Sequence, residues 1–230
     1  MMASIVKREE MRMSYGILLF DLDGTLTDPK EGITKSVAYA LKHFGIDEDP
    51  DHLVCFIGPP LKESFITYYG FSEEQAILAI EKYRERFSDV GLFENKVYPG
   101  IYEMLNALIA SGKKLAVATS KPEVFAKRIL EKFDLEMYFE WIVGSELDGT
   151  RCKKAEVIEE VFKRAGIAEE QRKDCLMIGD RKHDIEGAKA CGIHGLGVEF
   201  GYAPEGELAA SRADYIVSTV EELEAFLLEH

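Results

Sequence analysis

The sequence has 230 residues, 47% of them hydrophobic, which suits one large globular domain or a domain with an insertion. Acidic residues outnumber basic residues 42 to 28, and the net charge of −14 disfavours nucleic acids and anionic membranes as partners. An anionic substrate would therefore need a local source of positive charge, which a metal ion can supply.

The N-terminal stretch MMASIVKREEMRMS (1–14) has no periodic pattern, and we predict that it is an extension outside the fold. It lacks the apolar core of a signal peptide, and no run in the chain approaches the roughly 20 apolar residues of a membrane span. The four cysteines have neither a CxxC spacing nor a metal-binding spacing: Cys55, Cys152, Cys175 and Cys191. We therefore expect a cytoplasmic protein with free thiols and no membrane partner.

Six short apolar runs predict strands, and helical patterns separate them. The runs are GILLF (16–20), KLAVA (114–118), WIVG (141–144), CLMIG (175–179), HGLGV (194–198) and DYIVS (214–218). Continuous apolar runs are typical of parallel strands that are buried on both faces. The alternation of strands with helices predicts an α/β fold with a doubly wound parallel sheet.

Residues 30–96 interrupt this alternation, because only helical patterns occur there. Asp28-Pro29-Lys30-Glu31 predicts a helix start, with Asp28 as the cap, Pro29 in the first helical position and Glu31 closing a capping box. Ser72 predicts the start of another helix, whose apolar side chains we expect to point inward: Ile77, Ile80, Tyr83 and Phe87.

This block predicts an all-helical second domain (30–96) inserted into an α/β core that comprises residues 15–29 and 97–230. We expect the helical domain to lie above the carboxyl edge of the sheet, where ligands bind in such folds. Hinges are expected near residues 28–31 and 95–99.

Two acids directly follow the first predicted strand, in the stretch FDLDGTLTDP (20–29). Asp21 and Asp23 are two residues apart and point the same way along an extended chain, so their charges repel unless a cation or a proton lies between them. Polar clusters also follow other predicted elements: Thr119-Ser120-Lys121, the helix start Lys153-Lys154 and GDRKHD (179–184). In a parallel sheet these clusters would meet at one crevice.

These residue types suit phosphoryl transfer. Carboxylates such as Asp21 and Asp180 are the hard oxygen ligands that Mg²⁺ favours. A carboxylate can attack phosphorus, and a second acid can protonate the leaving oxygen. Thr119 and a lysine suit the outer oxygens of the phosphoryl group. A bound metal would reduce the repulsion between an anionic nucleophile and an anionic substrate.

The segments DLDGTLT, ATSKP, KKAEVI and GDRKHD resemble, in this order, the four motifs of the haloacid dehalogenase superfamily of phosphohydrolases. The resemblance extends from about Tyr15 to the C-terminus, and the helical block is similar to that family's first-position cap. It implies Mg²⁺-dependent hydrolysis of a phosphomonoester through an aspartyl-phosphate. Asp23 favours ester cleavage over dehalogenation, because an oxygen leaving group must gain a proton.

The resemblance also implies a role for each motif residue. Asp21 is the expected nucleophile, Asp23 the general acid and base, and Lys154 the cation that neutralises developing charge, although Lys153 could take that role. Thr119 is expected to hydrogen-bond the phosphoryl group. The expected metal ligands are Asp21, Asp23 through its main-chain carbonyl, Asp180 and Asp184. The expected substrate-binding and phosphate-binding residues are Gly24, Thr25, Ser120, Lys121 and Lys62.

The substrate is expected to depend on the helical block, where the stiff loop FIGPPLKES (56–64) could reach over the crevice. The resemblance is closest to the branch of phosphoglycolate phosphatases and bacterial 5′-nucleotidases, and FIGPPL, TSKP and GDRKHD are more similar to the nucleotidase-like group. Nucleoside 5′-monophosphates are the predicted substrates and phosphoglycolate is the alternative. Sugar phosphates, pyrophosphate, a mutase activity and a catalytically silent binding module are further alternatives. We expect a monomer or a weak homodimer.

Overall fold

The computed structural model describes residues 14–230, so the predicted N-terminal extension lies outside the described residues apart from Ser14. The strands are β1 (Ile17–Phe20), β2 (Thr27–Asp28), β3 (Lys96–Val97), β4 (Lys114–Pro122), β5 (Trp141–Ser145), β6 (Cys175–Gly179), β7 (His194–Val198) and β8 (Tyr215–Val217). The α-helices are α1 (Lys30–His43), α2 (Leu61–Tyr69), α3 (Glu73–Phe87), α4 (Ile101–Ala110), α5 (Glu123–Lys132), α6 (Lys154–Ala165), α7 (Lys182–Ala190), α8 (Glu207–Ala210) and α9 (Val220–Glu229).

Six of the strands form one parallel sheet in the order β5-β4-β1-β6-β7-β8, which confirms the predicted doubly wound α/β fold. Side chains alternate between its two faces, as in any strand. Leu18 and Phe20 of β1 belong to one apolar cluster, whereas Leu19 belongs to a second cluster that includes Val157 and Val161 of α6. Burial on both faces explains why these strands read as continuous apolar runs.

The helices α1, α2 and α3 and a 3-10 helix (Pro50–Phe56) lie between β2 and β3, and we call residues 29–95 the helical insert. Strands β2 and β3 were not predicted, and they pair antiparallel with Asp28 opposite Lys96. Two-residue strands contain no apolar repeat that could reveal them. Their pairing places the two ends of the helical insert side by side.

The start of α1 differs from the prediction. Pro29 lies at the cap position rather than inside the first turn, and the carboxylate of Asp28 accepts a hydrogen bond from the main-chain N–H of Lys30 at 3.0 Å. Glu31 forms an ion pair with Lys35 instead of closing a capping box. The predicted start of α3 is confirmed, since Ser72 and Gln75 form a reciprocal capping box.

The buried face of α3 also differs from the prediction. Tyr83 and Phe87 are buried as expected, but Ile77 is 50% exposed and Ile80 is only half-buried. The small residues Ala76 and Ala79 are buried in their place, because they allow α3 to pack closely against α1. The apolar side chains of Ile77 and Ile80 are thereby left free to line a cavity.

The four cysteines are free in the structure, as predicted. Within residues 14–230, no helix combines the length and the apolar character needed to cross a membrane.

Candidate active site

The topology of the sheet places three polar chain segments at one point. Strand β1 lies between β4 and β6, so the residues at the carboxyl ends of these strands are neighbours: Asp21 after β1, Thr119 within β4 and Asp180 after β6. All three side chains are buried. Ligands bind at such a point in parallel sheets because strand order changes direction there.

Lys154, the first residue of α6, brings positive charge to this point. Its Nζ lies 3.0 Å from Oδ1 of Asp21 and 2.7 Å from Oδ1 of Asp184, and it donates to the main-chain oxygen of Ala118 at 2.9 Å. Burial lowers the pKa of this ammonium, but Asp184 and Asp21 outweigh burial, and the net shift is upward. Lys153 is exposed and precedes the helix. Of the two adjacent lysines, only Lys154 contacts the acids.

Three carboxylates form a compact cluster beside Lys154. Asp21, Asp180 and Asp184 each offer an oxygen within 4.8 Å of the others. The main-chain N–H of Tyr202 donates to Oδ2 of Asp180 at 2.7 Å, whereas its Oδ1 is buried and has no hydrogen-bond partner within residues 14–230. Burial, reinforced by Asp184 and Asp21, raises the pKa of Asp180 well above its usual range, and burial raises the pKa of Asp184 to about 6.

Asp23 points to a different cation. Its carboxylate oxygens lie 2.8 Å and 2.7 Å from Nζ of Lys121, on β4. Burial raises the pKa of Asp23, and Lys121 opposes that shift only in part. The same ammonium lies 4.9 Å from the ring centre of Phe87, on α3. The geometry keeps the side chain of Asp23 apart from the three-carboxylate cluster.

The remaining predicted residues surround this centre. Gly24 has a φ of +80°, and a Cβ there would lie 2.1 Å from Oδ2 of Asp180, so no side chain fits. The buried hydroxyl of Thr25 has no hydrogen-bond partner among the described residues. Thr119 Oγ1 accepts from the N–H of Lys121 at 3.3 Å, and the main-chain oxygen of Ser120 accepts from the hydroxyl of Ser145 at 2.8 Å.

A cavity of about 530 Å³ opens between these residues and the helical insert. Three parts of the chain form its walls: residues 58–63, the face of α3 that carries Ile77, Ile80 and Arg84, and residues 145–149. Asp21, Asp23, Thr119, Ser120 and Lys121 line its core side. Lys62 also lines it, but its ammonium forms an ion pair with Glu73 at 2.9 Å.

Sequence reasoning missed three residues of this region. Arg84 could have been found, because it follows Ile77 and Ile80 by seven and four residues and so shares their helical face. Tyr202 had no signal, yet its N–H holds Asp180 and its hydroxyl donates to the carboxylate of Asp28. Arg181 was visible only as part of GDRKHD.

A model of the haloacid dehalogenase-like hydrolase family matches residues 18–198. The chain belongs to this family. The matched range contains the four motifs, the helical insert and the residues that line the cavity, and Tyr202 lies just beyond its end.

Relatives with names that denote removal of phosphate align with more than nine tenths of this haloacid dehalogenase-like hydrolase. A 5′-nucleotidase from Pseudomonas aeruginosa is 48% identical, and the alignment covers 95% of this chain and 98% of the relative. The crystal structure of a predicted phosphatase from Clostridium acetobutylicum has a TM-score of 0.90 and 49% identity, with 94% of this chain and 100% of the other covered. This hydrolase is a phosphatase.

More distant relatives have other names. A phosphoglycolate phosphatase from Aquifex aeolicus is 31% identical, with 93% of this chain and 97% of the relative covered. The tyrosine-protein kinase PtkA of Mycobacterium tuberculosis is 39% identical, with 88% of this chain and 66% of the kinase covered. The names of these relatives agree on chemistry at phosphate groups but differ in the substrate.

Proposed function

We propose that this phosphatase is a Mg²⁺-dependent phosphomonoesterase that acts on nucleoside 5′-monophosphates through an aspartyl-phosphate at Asp21. The observation that carries the proposal is that two acids close together in the sequence have different partners. Asp21 contacts Lys154, whereas Asp23 contacts Lys121. One acid is thereby available for attack on phosphorus and the other for proton transfer.

The carboxylate cluster fits a hard divalent cation. Asp21, Asp180 and Asp184 supply oxygen donors, and Oδ1 of Asp180 is buried without a hydrogen-bond partner among the described residues, as expected of an atom that serves a ligand. We propose that these three side chains and the main-chain carbonyl of Asp23 hold Mg²⁺. A bound Mg²⁺ would neutralise negative charge on the phosphoryl group and on the attacking carboxylate.

The reaction then has two steps: transfer of the phosphoryl group to Asp21 and hydrolysis of the aspartyl-phosphate. Lys154 and the N–H of Leu22 both hold Oδ1 of Asp21, which leaves Oδ2 to attack phosphorus. As the ester P–O bond breaks, Asp23 gives its proton to the leaving oxygen. Asp23 then removes a proton from the water that attacks phosphorus, and the bond to Asp21 breaks. We propose that Thr119, with Gly24, Thr25, Ser120 and Lys121, orients the phosphoryl oxygens.

The helical insert offers a mixed apolar and cationic wall for the leaving group. Ile77 and Ile80 present apolar surface to the cavity, and the guanidinium of Arg84 beside them has no hydrogen bond or ion pair to any described residue. Planar donors over an apolar surface suit a nucleobase with paired acceptors. The cavity volume also lies within the range of sites that enclose drug-sized ligands. Lys62 stays a predicted contact for the substrate.

Phosphoglycolate is the second candidate, and Arg84 is the observation that favours it. The guanidinium of Arg84 lines the cavity and pairs with no described residue, so it could bind the carboxylate of a small phosphorylated acid. The two substrates would use this wall differently, since a nucleobase would also pack against Ile77 and Ile80, whereas glycolate has no apolar ring to place against them.

Initial rates of phosphate release with Mg²⁺ would test these proposals. The substrates are IMP, GMP, AMP, UMP, phosphoglycolate, glucose 1-phosphate, phosphotyrosine and pyrophosphate, with Asp21→Asn as the control. We expect one or more nucleotides to have the highest kcat/KM and Asp21→Asn to abolish release. A preference for phosphoglycolate would overturn the substrate assignment, and release that persists in Asp21→Asn would overturn the mechanism.

A further inference from the structure

Arg181 is a buried cation at the boundary between the α/β core and the helical insert. It follows Asp180 in the chain, but its side chain turns away from the carboxylate cluster and does not line the cavity. Only 6% of the residue is exposed. A buried guanidinium must have its donors satisfied, so its partners indicate what it holds in place.

The partners of Arg181 come from both sides of that boundary. Its Nε donates to Oε1 of Glu207 at 2.9 Å and its Nη2 to Oε2 at 3.3 Å, a two-point contact that fixes the plane of the guanidinium. Glu207 is itself held by the N–H of Lys182 at 3.0 Å. The remaining arm, Nη1, donates to the main-chain oxygen of Ile57 at 2.5 Å. Ile57 belongs to the helical insert, 124 residues earlier in the chain.

The next residue of the helical insert, Gly58, lies directly on the side chain of Arg181. A Cβ on Gly58 would lie 2.8 Å from Cγ of Arg181, and the φ of Gly58 is +99°, a value that side chains disfavour. Pro59 and Pro60 restrict the chain that follows until α2 begins at Leu61. Because residues 58–63 form one wall of the cavity, the contact with Arg181 fixes where that wall stands.

We propose that Arg181 is a positioning residue for substrate binding: it holds the loop of residues 57–60 against the core and so sets the shape of the leaving-group side of the cavity. The inference rests on the proposed function only in that the cavity binds a phosphate ester. Arg181 contacts the loop and Glu207 and acts on the substrate through them. Moving the loop away from the core would break the buried hydrogen bond between Arg181 and the main-chain oxygen of Ile57, so this movement is disfavoured.

The direct test is hydrogen–deuterium exchange of the peptide that covers residues 57–66, measured by mass spectrometry. The variants are Arg181→Gln, which removes the charge, and Arg181→Lys, which cannot bind Glu207 and Ile57 in the same geometry. Glu207→Gln loosens the guanidinium without changing Arg181. The matched control is Arg172→Gln, because Arg172 makes a similar two-point contact with Glu159 far from the cavity.

We expect exchange in residues 57–66 to be about tenfold faster or more in Arg181→Gln, to increase less in Arg181→Lys and Glu207→Gln, and to be unchanged in Arg172→Gln. Exchange equal to that of the unmodified protein in all Arg181 and Glu207 variants would overturn the inference. This readout needs no substrate, so it decides the inference even where the proposed substrate class fails. If Arg181→Gln does not fold, the comparison of Glu207→Gln with Arg172→Gln decides it.

Kinetics separate positioning from a purely structural role. For the best ester of the unmodified protein, we expect Arg181→Gln to raise KM about tenfold or more and to change kcat less than about threefold. The inhibition constant of inorganic phosphate should stay unchanged, because the residues that we propose bind phosphate lie on the core side of the cavity, away from the loop. A lower melting temperature with unchanged KM would show a structural role only, and a weaker inhibition by phosphate would show a disturbed catalytic centre. Either result would overturn the inference.

Discussion

The ammonium of Lys121 lies within 2.8 Å of both carboxylate oxygens of Asp23. Both side chains are nearly buried, so each charged group is stabilised mainly by the opposite charge of the other. Burial raises the pKa of Asp23 above its usual range, and Lys121 opposes that shift. The pair therefore tunes the acid that we propose transfers protons to and from the substrate.

Replacing Lys121 by Gln should shift the pH dependence of the reaction. The pKa of Asp23 is already raised by burial, and the loss of Lys121 should raise it further. The protonated form needed for ester cleavage would then persist to higher pH, so the alkaline limb of the kcat/KM profile should move upward. Water activation needs the carboxylate, so we expect kcat at pH 7 to fall on the order of tenfold.

The measurement is the pH profile of kcat and kcat/KM from pH 5 to 9.5. Lys114→Gln is the control, since Lys114 pairs with Glu140 at the protein surface, 3.4 Å away. An alkaline limb that stays in place in Lys121→Gln would contradict the proposed role of Asp23.

Replacing Lys154 and Lys153 separately by Met should distinguish the two adjacent lysines. Lys154→Met removes the contacts with Asp21 and Asp184, and we expect kcat to fall on the order of 10²- to 10³-fold. Lys153→Met should change kcat less than about twofold, because its side chain is exposed. Steady-state kinetics of both variants at saturating Mg²⁺ would show the difference, and equal losses would contradict it.

Removal of metal should leave a protein that becomes more stable as the pH falls from 7.5 to 5.5. The pKa of Asp184 is raised to about 6, above its unfolded value, so the stability it contributes is present below that unfolded value and is lost as the pH rises through about 6. The melting temperature of EDTA-treated protein should rise over this interval on acidification. Saturating Mg²⁺ should abolish the trend.

Asp180→Asn tests the repulsion among the carboxylates of Asp21, Asp180 and Asp184 in the metal-free protein. The substitution removes one of three clustered charges, so it should raise the melting temperature of the EDTA-treated protein at pH 7.5. It should also remove the stabilisation by Mg²⁺. A variant that still gains the full Mg²⁺ stabilisation would show that Asp180 is not a ligand.

Gly32→Ala should loosen the base of the helical insert. A Cβ at Gly32 would lie 1.9 Å from the main-chain oxygen of Gly91, so the two segments must separate. We expect a loss of about 1–3 kcal/mol in the free energy of unfolding, as for other overpacked sites. Gly16→Ala is the control, since nothing lies within 4 Å of its Cβ. Urea unfolding would measure both, and similar midpoints would contradict the close packing.

The sequence was most informative where burial leaves a repeating pattern. The six strands of the parallel sheet were predictable because both faces are buried. The meeting of Asp21 with Asp180 was predictable because each directly follows a strand of that sheet. The face of α3 was not predictable: Ile77 is more apolar than Ala76, but close packing against α1 buries the smaller residue.

Contacts between distant segments were beyond the sequence as well. Nothing in the pattern joins Arg181 to Ile57 or Tyr202 to Asp28, since these pairs meet only when the sheet and the helical insert are assembled. For a similar reason, the sequence did not distinguish Lys153 from Lys154 as the lysine that contacts the acids. Only the direction in which α6 begins decides which of them reaches the acids.

The antiparallel pairing of β2 with β3 brings the chain out of the core and back into it at neighbouring residues, Asp28 and Lys96. An insertion whose ends are adjacent can be enlarged, trimmed or exchanged without pulling on the strands that flank it. The residues to which we assign the chemistry lie at the carboxyl ends of β1, β4 and β6 and at the start of α6, outside that segment. We therefore expect much of the substrate preference to be encoded in residues 29–95, and a graft of this segment from a relative to change the preferred substrate while the reaction stays the same.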